Sequence, residues 1–480
     1  MVEPILVLSD YDISPTHGFL SPETPALQNP YYTRWEAIVV DLHALLQAKK
    51  LRQTINHLPV LSADYLETPA EWRRAYVCLV FMLNGYVWGE EKPEQRIPPQ
   101  LTIPLLQVCE NWELPPIATY AGLCLWNYQP TVQDATCTTP EDLVVSCTFT
   151  GTSDERWFYL ISVAFEAKGA PAIPLMLDTI LAARTCDIIK VTESLKIFSQ
   201  NLQDLILILN RMYEGCDPKV FYHQIRLFLT GSKSMEHLGL RNGLVYDDGT
   251  DEEEYCRAYA GGSNAQSSLI QFFDIVLGIS HTSNSNQSFI TDMRAYMPGK
   301  HRRFLERVME ITNIRAFVEE HEDDHELVSA YDTCVEMMCS MRNVHLRMVA
   351  RYIITHSRSE DVQRGYSGAN ECSLLSPSPS KKTVRGTGGT DLMPFLSQIR
   401  NETSRSKMRS LVPGSQGHIL QPIEEQATLG ARPIEQESSN HGDQKLAAPI
   451  WLPLWIVQWR GLHYVLVVTA SMATFLLVFG

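Results

Sequence analysis

The 480-residue chain has eleven cysteines, scattered and with no C-x-x-C pair among them, so no disulfide framework is implied. Its first residues, "MVEPILVLSDYD", lack a signal-peptide pattern, and reduced thiols on the cytosolic side are expected. A basic face is missing as well: 40 lysines and arginines stand against 55 acidic residues, a formal net charge of −15. No ribbon alternates aromatic and basic residues. Nucleic acid is therefore excluded as a partner. Neither a G-x-S-x-G elbow nor a G-x-G-x-x-G fingerprint occurs, and no internal repeat is visible. What remains is 45% hydrophobic and 20% charged, the balance of a globular protein long enough to bury a sizeable core.

Along the chain the pattern predicts an all-α class with a smaller mixed part at the start. Residues 1–150 form a small N-terminal domain, Pro- and Asp-rich at first. Thr68 and Pro69 read as an N-cap and first helical residue before the apolar "AEWRRAYVCLVFMLNGYVWG". "EDLVVSCTFTG" is the best strand candidate. From Trp157 the periods lengthen, and residues 151–357 form a larger helical domain. In it Leu195, Phe198, Leu202, Leu205, Ile206 and Leu209 make a wide apolar stripe. Residues 358–405 hold a Ser-, Pro- and Gly-rich loop and a short amphipathic helix, and residues 406–449 read as a disordered linker. Residues 450–480 end in "GLHYVLVVTASMATFLLVFG", uncharged after His463 and about long enough to span a bilayer. Tryptophans and an arginine suited to an interface precede it. A C-terminal transmembrane helix holding a cytoplasmic protein on a membrane is expected.

Several motifs offer chemistry. "HEDDH", residues 321–325, matches the H-E-x-x-H zinc pattern, but its surroundings are charged on every face, and a solvated helix end is expected instead. "DDGTDEEEY" lacks EF-hand spacing, and "GTGGTD" lacks a P-loop lysine. "YAGGSNAQSSLIQFFD" puts two glycines and a run of small polar residues before an apolar helix, where backbone can approach a ligand closely. Met338, Met341, His345, Met348 and Tyr352 recur at three- and four-residue steps and share one apolar helical face. On that face His345 is either a hydrogen-bonded core histidine or a metal ligand.

Read together, "AGGSNAQSSLIQFFDIVLGI", "MRAYMPGKHRRFLERV" and "MRNVHLRMVARYI" resemble the indoleamine 2,3-dioxygenase family. "ELPPIATYAGLCLWNY", "DPKVFYHQIRLFLTG" and "GTGGTDLMPFL" extend the resemblance, in the family's order, from about residue 10 to about residue 405. It implies a haem-containing helical catalytic domain. The implied reaction inserts both atoms of O2 into the indole C2–C3 bond of L-tryptophan to give N-formylkynurenine, the first step of the kynurenine pathway toward NAD biosynthesis. The cofactor implied is haem b, active as Fe(II) and kept reduced by a cytosolic reductant.

The resemblance assigns roles residue by residue. His345 is the iron ligand, Arg342 a partner for a haem propionate, and Asp274 a supporting acceptor on the same side. Gly262, Ser263 and Asn264 line the wall beside the haem edge. Tyr120, Cys124, Phe158 and Ser162 form the substrate pocket, in which Phe221 packs on the indole ring and Arg226 binds the carboxylate. Thr387 belongs to a loop that closes over substrate. As α-helical positions, Phe221 and Arg226 do not quite share a face. Asn264 departs from the small apolar residue frequent in the family, and the C-terminal extension is not part of its usual catalytic domain. Set against the enzyme is a haem-binding sensor of the same fold with weak or no tryptophan turnover. The carboxylate clamp favours the enzyme.

Overall fold

Helix α1 (Pro69–Trp88) begins where the sequence marks a start. Glu71 N donates to the Thr68 hydroxyl and Thr68 N donates back to the Glu71 carboxylate at 2.9 Å, a reciprocal cap with proline in the first turn. From Arg73 to Trp88 every residue is buried, as an all-round apolar helix requires. Its two arginines are buried in pairs, Arg74 with Glu36 at 2.6 Å and Arg73 with Asp12 at 2.5 Å.

The computed structural model describes residues 6–21, 24–132, 136–250, 256–281, 284–357, 385–387 and 391–408, and these are mostly helical. After α1 come α2 (Pro99–Trp112), α3 (Ser153–Gly169), α4 (Ala172–Arg184) and α5 (Ile188–Asn210). Then follow α6 (Ser268–Val276), α7 (Gly299–Ile311), α8 (His325–Val349) and α9 (Leu392–Arg405). The apolar stripe of α5 lies against α8, and α3 and α4 pack on α5 as well. Helix α9 also packs on α8, while α6 packs on α7. Helix α8 thus joins the helices that will carry the site.

The sheets are small. Strand β1 (Arg96–Ile97) pairs in parallel with β4 (Leu244–Tyr246), which pairs antiparallel with β5 (Cys256–Arg257). Strand β2 (Tyr128–Pro130) pairs antiparallel with β3 (Leu143–Val145). The strand expected over residues 141–151 is thus only three residues long. Pro130 pairs with Leu143 at the start of that strand, and at its other end Ser146 N donates to Asn127 O at 3.2 Å. Beyond it Phe149 turns into the core between the rings of Phe81 and Phe228, at 4.5 and 4.8 Å. Residues on both sides of position 150 therefore share one hydrophobic core.

The "HEDDH" run is a helix-to-helix junction. His321 Nδ1 bonds to Phe317 O at 2.8 Å, and the Asp324 carboxylate caps α8 by accepting from Glu326 N and Leu327 N, each at 3.0 Å. Among the described residues no group of three or more histidines, cysteines and acids could hold a metal ion. Most of the expected loop, the linker beyond residue 408 and the hydrophobic segment 450–480 lie outside the described residues. Within them, Ser153–Arg184 has the length and apolarity to cross a membrane, but it is mostly buried, as a core segment is.

Candidate active site

Three helical turns are wound wide: Ala121–Leu125, Phe221–Ile225 and Ala350–Ile354 are π-helical. A π turn bonds each N–H to the carbonyl five residues back, a rare arrangement that concentrates at functional sites. All three border one cavity, through Leu123 and Cys124, through Phe221, and through Tyr352 and Ile353. The cavity has two adjoining lobes with empty volumes of about 970 and 1340 Å³, open mouths included. Tyr120, Ser162, Asn264 and His345 line both.

The smaller lobe holds the charged side of the site. His345 stands near the end of α8, with Met338, Met341, Met348 and Tyr352 of its face buried. Its ring opens into both lobes. Burial first, and the charge of Arg342 second, push its pKa down to about 4, so the imidazole is neutral at pH 7. No hydrogen bond from the described residues acts on that ring. Arg342, one turn earlier, donates through Nη2 to both Asp274 carboxylate oxygens at 2.7 Å and through Nη1 to the Thr403 hydroxyl. Asp274 therefore supports Arg342 rather than the histidine ring. His281 completes the cluster, with Nε2 3.4 Å from Asp274 and Nδ1 3.1 Å from Glu402 of α9. Burial raises the Asp274 pKa, but Arg342 and His281 outweigh it and hold the carboxyl below its ordinary value.

The larger lobe holds the remaining expected residues: Gly262, Ser263, Asn264, Tyr120, Cys124, Phe158, Ser162, Phe221, Arg226 and Thr387. Phe158 and Phe221 meet at 5.0 Å between ring centroids, and Tyr352 stands edge-on to Phe221 at 5.6 Å. Phe221 and Arg226 reach the same lobe although five residues separate them, because the first opens a π turn and the second follows it. The α-helical expectation that they diverge fails for that reason. The buried Arg226 guanidinium lies 5.6 Å over the Tyr222 ring and donates to Arg385 O at 2.5 Å. Thr387 donates to Gly262 O at 2.7 Å, and Gly261 N donates to Thr387 O at 3.1 Å. Gly261 is required where the Leu229–Gly231 backbone passes it, whereas at Gly262 a Cβ would meet only the end of the Leu123 side chain. A Cβ on Gly261 would lie 2.2 Å from Leu229 O, and one on Gly262 would lie 2.4 Å from Leu123 Cδ1.

All thirteen residues singled out in the sequence thus line the two lobes. The sequence reading missed His281, which reaches the site through Asp274, and Glu402, which reaches it through His281. It also missed Glu166, one turn beyond Ser162 on α3, whose i, i+4 spacing was the available signal. Tyr352 was visible on the histidine face, but its place beside Phe221 was not.

A model of the indoleamine 2,3-dioxygenase family matches residues 7–406. The indoleamine 2,3-dioxygenase qulI of Penicillium citrinum is 41% identical, over 83% of this chain and 88% of that one. The indoleamine 2,3-dioxygenase of Saccharomyces cerevisiae is 39% identical, over 84% and 94%. The 6-hydroxytryptophan 2,3-dioxygenase fscD of Fusarium equiseti is 36% identical, over 84% and 98%. The helical fold, the cavity and these matches agree, and the chain belongs to the indoleamine 2,3-dioxygenase family of haem-dependent dioxygenases.

Proposed function

We propose that the cavity binds haem b on His345 and opens the indole ring of L-tryptophan, inserting both atoms of O2 across C2–C3 to give N-formylkynurenine. The observation that carries this reading is the histidine itself. His345 is neutral, engaged by no hydrogen bond from the described residues, and faces a cavity with a paired arginine on one side and an aromatic wall on the other. A single neutral imidazole with open space before it is the residue that would hold a haem iron here, and the bound haem would supply the oxygen chemistry. Arg342, held by Asp274, is placed to pair with a propionate, and the small residues Gly262 and Ser263 leave room for a flat macrocycle.

The chain's own residues do the rest. Phe221 and Phe158 hold the indole by ring contact, Arg226 binds the amino acid carboxylate, and the backbone crossing at Thr387 and Gly262 forms part of the cavity wall. The reaction as a whole neither releases nor consumes a proton, so the site works by orientation and needs no catalytic acid or base. The 6-hydroxytryptophan relative makes ring-substituted tryptophans the second substrate class to assay. The test is to load the full chain with haem, reduce it, supply L-tryptophan in air and measure N-formylkynurenine. Product supports the reading. A haem-loaded protein that turns over neither L-tryptophan nor 6-hydroxytryptophan would overturn it in favour of a sensor. We include in the proposal a membrane tether through residues 450–480. Fractionation of the full chain against one lacking them tests it.

A further inference from the structure

Glu166 is only 1% exposed, yet among the described residues no cation acts on its carboxyl. Its Oε1 accepts from the Ser267 hydroxyl at 2.6 Å and from the Tyr120 hydroxyl at 3.1 Å. Its Oε2 is buried with no hydrogen-bond partner among the described residues. Three segments meet on this one group. Glu166 lies on α3, which also carries Phe158 and Ser162. Tyr120 leads into the first π turn and its N–H donates to Gln266 Oε1 at 2.9 Å. Ser267 is the N-cap of α6, accepting from Ile270 N, and stands three residues after Asn264 of the Gly262–Asn264 wall.

We propose that Glu166 is a positioning residue for substrate, fixing the cavity wall through Tyr120 and Ser267, and that a charge on this enclosed carboxyl, whose Oε2 has no partner among the described residues, disfavours an amino acid carboxylate in the cavity. The first half follows from geometry. The Tyr120 hydroxyl is spent on Glu166, so the tyrosine offers the cavity its ring, and α6 starts at a fixed point relative to α3. The second half follows from electrostatics. Burial pushes the Glu166 pKa up to about 7, against the lowering bonds from Ser267 and Tyr120. The titratable groups facing it, Tyr120 and Cys124, are themselves pushed above their ordinary values by burial. Above neutral pH an uncompensated anion therefore develops behind the wall. It opposes a second anion in the cavity and leaves its own Oε2 unsolvated.

This inference rests on the reading of the cavity as an amino acid site, and the experiment separates the two. Haem-loaded full chain, E166Q, E166L and Y120F are compared. The dissociation constant for L-tryptophan is followed by the Soret shift from pH 6 to 8.5, KM and kcat are measured separately, and the C–O stretch is recorded on the CO-bound ferrous protein. In the wild type, tryptophan affinity should fall about tenfold more steeply over that range than in E166Q, a 1.4 kcal/mol repulsion. E166L should raise KM about tenfold at every pH with a smaller fall in kcat, and should broaden the C–O band. E166L combined with Y120F should cost no more than the larger single change, because one acts through the other. Parallel pH profiles in wild type and E166Q, or an E166L that alters thermal midpoint alone, would overturn the proposal. If E166L does not fold, the E166Q profile decides. If the wild type binds no tryptophan, the functional reading fails, and the C–O band still tests whether Glu166 sets the wall.

Discussion

The two sides of His345 are built by opposite means. On one, Asp274, Arg342, His281 and Glu402 are held by charge on regular helices α6, α8 and α9 and the loop after α6. On the other, Phe221, Arg226, Tyr352 and the Gly261–Gly262 crossing depend on π turns, ring contacts and backbone bonds. Charged pairs buried at 11% side-chain exposure leave little freedom, which suits a group that must stay bound. Wide turns and aromatic faces tolerate adjustment, which suits a ligand that comes and goes. The charged side should therefore govern cofactor retention and the aromatic side substrate affinity.

His345→Ala tests the hinge between them and should have the largest effect. It should abolish stable haem binding, and with it every substrate signal read through the Soret band. A mutant that keeps a normal ferrous haem spectrum would refute the assignment of the ligand.

Asp274→Ala should come next, because it removes the carboxylate that pairs with the buried Arg342 and takes away the partner of His281 Nε2. Breaking a buried pair costs on the order of 3 kcal/mol, seen as a lower thermal midpoint, with faster haem loss. The effect has a definite pH sign. The Asp274 pKa is lower folded than unfolded, so its contribution is full above the unfolded value near 4 and is lost as pH falls through the folded one. The gap between mutant and wild type should narrow on strong acidification. Molecules of the mutant that retain haem should bind tryptophan nearly as the wild type does. Strongly weakened tryptophan binding would erase the division between the two sides.

Arg226→Ala should give the mirror image, with haem content kept and tryptophan affinity lowered by about 10- to 100-fold, the value of a charge-assisted hydrogen bond. Equal loss of haem and tryptophan affinity would break the comparison from the other side.

The contrast also explains what the sequence could show. His345 lies on a regular α-helix, so three- and four-residue steps through Met341, Met348 and Tyr352 showed the shared apolar face, while the place of Arg342 one turn earlier came from the resemblance. The reciprocal cap at Thr68 and the stripe of α5 were legible for the same reason. Spacing alone did not show that Phe221 and Arg226 share a lobe, because a π turn has no compositional mark and the α-helical period does not hold there. The need for Gly261 appears only when the Leu229–Gly231 backbone crosses it, a contact about thirty residues away in sequence. Glu166 was hidden by its chemistry: an acid in an apolar period reads as a surface interruption until Tyr120 and Ser267 are seen to donate to it. In each case the information is long-range and carried by hydrogen bonds, which a periodic pattern does not encode.

Asn264 should give the smallest effect and the finest test, because it lies where the two lobes meet. It is the exposed member of the Gly262–Asn264 wall, between Ser263, whose hydroxyl accepts from Ala265 N at 3.3 Å, and the start of α6. An amide against the flat face of an indole loses water without gaining a hydrogen bond, a cost of about 1 kcal/mol, whereas a ring hydroxyl could meet it. Asn264→Ala should therefore improve KM for L-tryptophan by about fivefold at most, leave haem content unchanged, and weaken binding of 6-hydroxytryptophan relative to tryptophan. Measuring kcat/KM for both substrates in wild type and mutant checks this. If the ratio is unmoved, Asn264 does not read the ring and belongs with the wall's scaffolding. If haem is lost instead, the residue belongs to the charged side, and the boundary between the two regions lies one strand of chain further out than the cavity suggests.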